Sequence, residues 1–376
     1  MADPRAATNA LFSENRVKLG VFALNAGVNA MTKVPEKFEP TWPAIVEVVQ
    51  AADRAGYETL VPYARWGSFG PDAQHYSARA FENLTWAAAV AAITRHCCVM
   101  STIQVQTVHP ILAAKAMTTI DHVSGGRFGL NLVVGNPVES AMFGAPEIPH
   151  HELYAYADEW LRVVKGLWTE DGIFDFTGKY LSLAGAMSTP KPIQRPAPPV
   201  MNAARSTEGQ AFVARHCDLA FVRENDRASL KAQVETYRRQ ARELAGREIQ
   251  IWCNVAVVQR ASRAEAEAYV SHYADRHGDE AYLQRFIDIL NPAIDQLPPP
   301  ARAAARHSLK RGVGAQPLLG NARDIAQSIA ALAEQGIDGI LLNWIDPRDG
   351  ITRFNAEVLP MLESMGLRLA ARGQAL

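Results

Sequence analysis

Short apolar runs alternate with amphipathic stretches along nearly the whole chain, and the two periods separate cleanly. VKLGVFAL (Val17 to Leu24) has the length and composition of a buried strand. TWPAIVEVVQAADRAGY then reads as a helix, with Thr41 as its cap, proline in its first turn and Gly56 at its close. ETLVPYA, CCVMSTIQV, RFGLNLVVG, VMNAA, DLAFVR, IQIWCNVAVV and IDGILLNW repeat the strand pattern. Helical patterns follow each of them, from LTWAAAVAAIT to the last around FNAEVLPMLESMG. Strands that are apolar on both faces belong in a parallel sheet covered on each side. Eight such strand–helix units in 376 residues fit a closed (β/α)8 TIM barrel better than an open doubly wound sheet.

Two stretches break the alternation. Residues 170–198 hold a hairpin-like excursion, IFDFTGKYLSL, and the proline-rich connector TPKPIQRPAPP. Residues 262–319 lie between the seventh and eighth strands. The expected organisation is a single α/β barrel domain over residues 1–376 with these two insertions.

Composition narrows the function classes. A net charge of -1 and a pI near 6.8 give no basic field for nucleic acid or anionic lipid. No apolar run reaches the 18 residues of a membrane span, and the N-terminus lacks the basic-then-apolar layout of a secretion signal. A cytoplasmic location follows as the expectation. Cys97, Cys98, Cys217 and Cys253 show no C-x-x-C or metal spacing, so buried free thiols are expected.

Functional groups of such a barrel gather at the carboxyl ends of its strands. The residues so placed are Arg65 and Trp66, Thr102, Gln104 and His109, Asn131 with Gly135-Asn136, Ser206, Arg223 and Glu224, and Trp344 and Asp346. Asn131 stands out, because it interrupts an otherwise apolar strand. Left unpaired, its amide would cost roughly 1–3 kcal/mol. Its partner is either a polar ligand or a neighbouring hydroxyl such as Thr102. NAARSTEGQ (Asn202 to Gln210) is a second candidate: Ser206, the following helix start and Arg205 could hold one phosphate, or could simply cap the helix. No P-loop, H-E-x-x-H or G-x-S-x-G motif occurs, and His150-His151 lack a carboxylate set, so no metal site is expected.

AKAMTTIDHVSGGRFGLNLVVG, YADEWLRVVKGLWTEDGIFDFTGKYLSL, PKPIQRPAPPVMNAARSTEGQAFVARHCDLAFV and PLLGNARDIAQSIAALAEQGIDGILLNW follow one another in order. Together they resemble the bacterial luciferase-like, flavin-dependent monooxygenases, in particular the pyrimidine, dimethylsulfone and alkanesulfonate monooxygenases. The resemblance runs from about Val17 to Leu362 and is weakest over 262–312.

It implies a barrel that takes reduced FMN (FMNH2) from a separate NAD(P)H-dependent flavin reductase and uses O2 as co-substrate on a small organic molecule. By position, Thr102 and Asn131 would be the catalytic pair beside the flavin ring. Tyr154 and Ser206 would hold the phosphate, with Ala204 and Arg205 in the same loop, and Gly135 would let the strand end approach the cofactor.

Two departures bear on the substrate. Ala203-Ala204 stand where the family usually has Gly-Gly or Ala-Gly, and Asn136 stands where a tryptophan is frequent. Arg65, His109 and Arg311 are candidate substrate contacts, and loops 65–82, 136–151 and 275–317 would set specificity. C–N or ring-amide cleavage and C–S oxidation of a sulfone or sulfonate both stay open. So do an F420-dependent hydride-transfer enzyme on the same barrel and a non-catalytic flavin-binding protein. A homodimer or homotetramer is expected.

Overall fold

The computed structural model describes residues 3–222 and 227–370; Arg223 and Glu224 lie outside them. The strands are β1 (Lys18–Phe22), β2 (Thr59–Val61), β3 (Cys98–Gln104), β4 (Phe128–Val133), β5 (Phe174–Thr177), β6 (Ser182–Ala186), β7 (Val200–Asn202), β8 (Leu219–Val222), β9 (Gln250–Gln259), β10 (Gln316–Gly320) and β11 (Gly339–Asn343). β1, β2, β3, β4, β7 and β8 pair in parallel in chain order. β8 pairs with β9, β9 with β11 and β11 with β1, which closes an eight-stranded parallel barrel. The eight strands expected from the sequence are the eight of the ring.

Successive residues of a strand point to opposite faces, and here the two rows have different jobs. On β4, Phe128, Leu130 and Leu132 face outward into the large core between barrel and helices. Gly129, Asn131 and Val133 form the inward row. On β3 the inward row is Cys98, Met100, Thr102 and Gln104, so its chemistry turns from apolar to polar toward the carboxyl end.

The amino-terminal half of the interior is filled. Leu11, from the segment before β1, packs with Cys98, Met100, Met201, Leu219, Phe221, Trp252 and Leu341. Trp252 lies so close over Gly339 that a Cβ there would sit 2.2 Å from the indole. Filling this end leaves room only at the other. The cysteines are free and buried, and burial pushes the Cys98 thiol up to about 12.

The insertions are ordered rather than loose. β5 and β6 form an antiparallel hairpin. The connector after it lies along the barrel wall, where Gln194 bonds Asp121, the Phe128 carbonyl and Asn9. The second insertion carries helices Arg263–Val270, Glu280–Leu290 and Pro299–Arg311. It also supplies β10, a parallel strand beside the last residues of β9 that the sequence pattern did not reveal. Tyr282, Leu283, Phe286 and Ile287 of this insertion pack on Met31 and Phe69, so it roofs part of the barrel mouth.

The chain end is tied to the barrel by a buried ion pair. Arg368 Nη1 lies 2.7 Å from Glu58 Oε2, with side chains 3% and 0% exposed, and that same oxygen accepts from the Leu19 amide. Removing one partner of such a pair strands the other charge. Arg368→Ala should therefore cost about 3–5 kcal/mol in urea unfolding. A loss under about 1 kcal/mol would show that the pair does not secure this edge.

Candidate active site

The open end of the barrel holds a cavity of ≈ 280 Å³, near the lower end of ligand-pocket sizes. Phe22, Val61, Met201, Phe221 and Leu290 give it apolar walls. Thr102, Gln104, Asn131, Glu139, Asn202 and Asn254 give it polar ones. All but Glu139, which lies on the helix Pro137–Met142, arrive on barrel strands. Thr102 stands directly opposite Asn131 across the β3–β4 pair, and Gln104 opposite Val133 one step further out.

Thr102 and Asn131 form a short chain with a fixed direction. The Thr102 hydroxyl donates to the Pro62 carbonyl at 2.5 Å. Having one proton, it can only accept from Asn131, whose Nδ2 lies 3.0 Å away. The Asn131 carbonyl Oδ1 is then turned the other way. It is buried and, among the described residues, has no hydrogen-bond partner. Gln104 repeats the arrangement: its Nε2 donates to Glu139, and its Oε1 is buried and unpartnered. Two acceptors on the same wall thus lack donors, at a cost of about 1–3 kcal/mol each when buried.

Glu139, which no sequence motif marked, organises the rim. It is 1% exposed and carries no ion pair among the described residues. Oε1 accepts the backbone amides of Trp66 (2.7 Å) and Gly67 (3.2 Å). Oε2 accepts Asn136 Nδ2 at 2.7 Å and Gln104 Nε2. One carboxylate therefore joins the loop after β2, the end of β3 and the helix Pro137–Met142 after β4. Asn136 caps that helix through the Glu139 amide at 3.0 Å. Gly135, at φ +95, makes the turn before it and passes close to Gln104.

The anticipated phosphate loop follows β7, the strand next to β4 in the ring. Ser206 caps the helix Thr207–His216, accepting from the Gly209 amide at 3.1 Å. The Tyr154 ring packs flat against Gly209, where a Cβ would lie 2.7 Å from the ring and 2.6 Å from Ala204 Cβ. Gly209 is thus the pivot that brings Tyr154, Ala204 and Ser206 together, and the sequence reading missed it. Tyr154 Oη lies 3.5 Å from Asn202 Oδ1, and Asn202 is itself anchored to the Leu132 carbonyl. The exposed Glu208 carboxyl is held below the ordinary glutamate range by backbone and Ser206 hydrogen bonds.

The structure places the anticipated residues unequally. Thr102, Asn131, Gly135 and Tyr154 line the cavity. Ala204 is buried beneath the helix start, its carbonyl bonded by Tyr237, and Arg205 is exposed. Arg65 borders a small side pocket. His109 is exposed and caps the helix Pro110–Ser124 through the Ile111 amide. Arg311 ends a helix of the second insertion, where its carbonyl accepts from Tyr273. Neither His109 nor Arg311 reaches the cavity wall.

Residues 17–339 match the luciferase-like monooxygenase family. The chain belongs to that family. Among curated luciferase-like relatives, an FMNH(2)-dependent dimethylsulfone monooxygenase of Pseudomonas putida is 29% identical over 325 residues, covering 85% of this chain and 87% of that protein. Pyrimidine monooxygenase RutA of Caulobacter vibrioides is 26% identical over 364 residues, covering 93% and 99%. A solved structure of riboflavin lyase (RcaE), with modified FMN and riboflavin, superposes with a TM-score of 0.84 at 21% identity over 96% and 94% of the two chains. That likeness carries the fold. No helix among the described residues of this family member is long and apolar enough to cross a membrane.

The rim clamp yields a prediction. Glu139→Ala leaves four donors unmatched and should cost about 3 kcal/mol or more. Glu139→Gln keeps one acceptor for the two backbone amides, and the Gln104 amide can flip to accept from it while Asn136 keeps its cap, so it should cost about 1–2 kcal/mol. Equal losses for the two variants, measured by thermal unfolding, would contradict the clamp.

Proposed function

We propose that this chain is the oxygenase component of a two-component flavin-dependent monooxygenase. It takes reduced FMN from a separate NAD(P)H:flavin reductase and uses O2 to oxidise a small organic substrate at a C–S or C–N bond. The observation that carries this reading is the unpartnered Asn131 Oδ1 on the wall of an apolar-sided cavity. A reduced flavin ring presents N–H donors on a flat apolar body, which is the complement of that wall. The FMNH2 dependence of the dimethylsulfone monooxygenase and the flavin in the RcaE structure support the same cofactor class.

The chain's own residues fit the group. Thr102 and Asn131 would hold the polar edge of the ring, and Gly135 lets the strand end come close. Tyr154 and Ser206, with Ala204 and Arg205 in the loop between, would hold the phosphate at the start of Thr207–His216, where amide N–H groups and the helix dipole favour an anion. When bound, reduced flavin supplies the reaction with oxygen, so the protein needs no nucleophile of its own. Its work is orientation and exclusion of water. Phe22, Val61, Phe221 and Leu290 keep the pocket dry, and the Thr102 proton stays committed to Pro62, so the pair works as a fixed acceptor.

Oxygen uptake with FMN, NADH and a generic flavin reductase, run against sulfones, sulfonates and pyrimidines, tests the activity. Oxidised product should match oxygen consumed for at least one class. Hydrogen peroxide accounting for all the oxygen with every compound would overturn the reading. A second test needs no turnover. Asn131→Leu should bind reduced FMN about tenfold or more weakly, the value of one charge-free hydrogen bond in a dry site. The ligand-free variant should unfold no earlier than the parent, because a costly buried amide is gone. Unchanged FMN affinity would contradict the role assigned to Asn131.

A further inference from the structure

Arg65 follows β2 on the loop beside the cavity, and its charge is unanswered. Nη1 donates to the Ser77 carbonyl at 2.7 Å and to Tyr282 Oη at 3.4 Å. The guanidinium carbon lies 4.7 Å from the Tyr63 ring centre and 4.9 Å from that of Phe69. Among the described residues it forms no ion pair, and its Nε is buried without an acceptor.

The more deeply buried arginines are treated differently. Arg5 pairs with Asp3 and Asp218, and Arg368 with Glu58. Arg127 has no carboxylate, but backbone carbonyls and Thr94 take up all its nitrogens. Arg65 has neither solution.

The acids around it are already engaged. Asp279, fully buried at the start of the overlying helix, binds His75 at 2.8 Å and Lys33 at 3.2 Å. Burial alone would raise its carboxyl, but hydrogen bonds from His75, the Tyr282 amide and Lys33 outweigh that and hold it below the ordinary aspartate value. Glu139 is saturated by its four donors. Tyr282, whose hydroxyl burial pushes upward, remains a neutral neighbour. Stacking on two rings returns about 0.5–2 kcal/mol, which offsets only part of the cost of desolvating a half-buried guanidinium.

The free edge of the guanidinium is the one that receives two-oxygen anions side-on. With Nη1 occupied, Nε and Nη2 remain, a planar pair matched to a carboxylate or sulfonate. Arg65 borders a pocket of ≈ 20 Å³ with Asn29, Ser77 and Tyr282, room for one oxygen of such an anion, so the rest of the headgroup would lie toward the main cavity. That pocket shares Tyr63 and Val313 with the main cavity.

We infer that Arg65 is an oxyanion subsite, and that the substrate carries a carboxylate or sulfonate held there while its oxidisable end lies beside Thr102 and Asn131. The location of the oxidisable end rests on the proposed function; capture of the anion does not.

Methanesulfonate and dimethylsulfone are nearly the same shape, and differ by one charged oxygen in place of a methyl group. Thermal shifts of the full chain at constant ionic strength should show stabilisation by methanesulfonate or acetate and not by dimethylsulfone. The stronger of the two anions identifies the headgroup. Arg65→Met should weaken the anion at least tenfold, and Arg65→Lys should fall between, retaining charge without the planar fork. A purely structural Arg65 would leave the anion and the sulfone indistinguishable in the parent protein, which overturns the inference. So would an anion response undiminished in both variants. FMN binding, followed in parallel by quenching of flavin fluorescence, reports separately on the flavin reading.

Discussion

The direction of one proton sets the character of the site. Pro62 offers a carbonyl near the Thr102 hydroxyl, and that hydroxyl gives its hydrogen to it. Thr102 is then an acceptor toward Asn131, the asparagine amide can face only one way, and its carbonyl is left without a donor. Buried polar groups in folded proteins are overwhelmingly paired, so an orphan in a cavity wall is a request for a ligand donor. Gln104, fixed by Glu139, makes the same request one layer further out.

The barrel makes this arrangement affordable to the fold. Its inward rows are apolar and filled at the amino-terminal end, where Leu11 and Trp252 close the interior. The same rows turn polar over the last few residues, so uncompensated groups are confined to the end that opens. Glu139 then joins three segments at the rim with a single carboxylate, which lets the loop after β2 carry Arg65 in a defined place. The second insertion roofs that loop with Tyr282 and Phe286. On the proposed function, oxygen chemistry falls to the strand ends and substrate selection to the loops and insertion of the same mouth.

Much of this was legible in the residues. Strand–helix alternation gave the ring of eight, and a lone amide in an apolar strand pointed to β4. What the sequence hid depended on distant partners. Glu139 looks like an ordinary acid in a short helix, and its significance comes from amides 35 and 73 residues away. Gly209 reads as a weak helix residue until Tyr154 is packed against it. β10 follows a long interruption and pairs only with the overhanging end of β9, so its short run QPLLG carried no periodic signal. His109 and Arg311 were placed by loop order alone, and loop order does not say which way a side chain turns. Arg65 came from the same reasoning, but its neighbours supply what sequence could not: an unpaired guanidinium beside the cavity.

An anaerobic crystal structure of the chain with reduced FMN measures the central claim most directly. The account predicts a flavin N–H within about 2.7–3.2 Å of Asn131 Oδ1, the Thr102 hydroxyl still bonded to Pro62, and the phosphate at the start of Thr207–His216 beside Tyr154. Flavin bound with Asn131 Oδ1 still unpartnered, or with its phosphate away from that helix start, would contradict it.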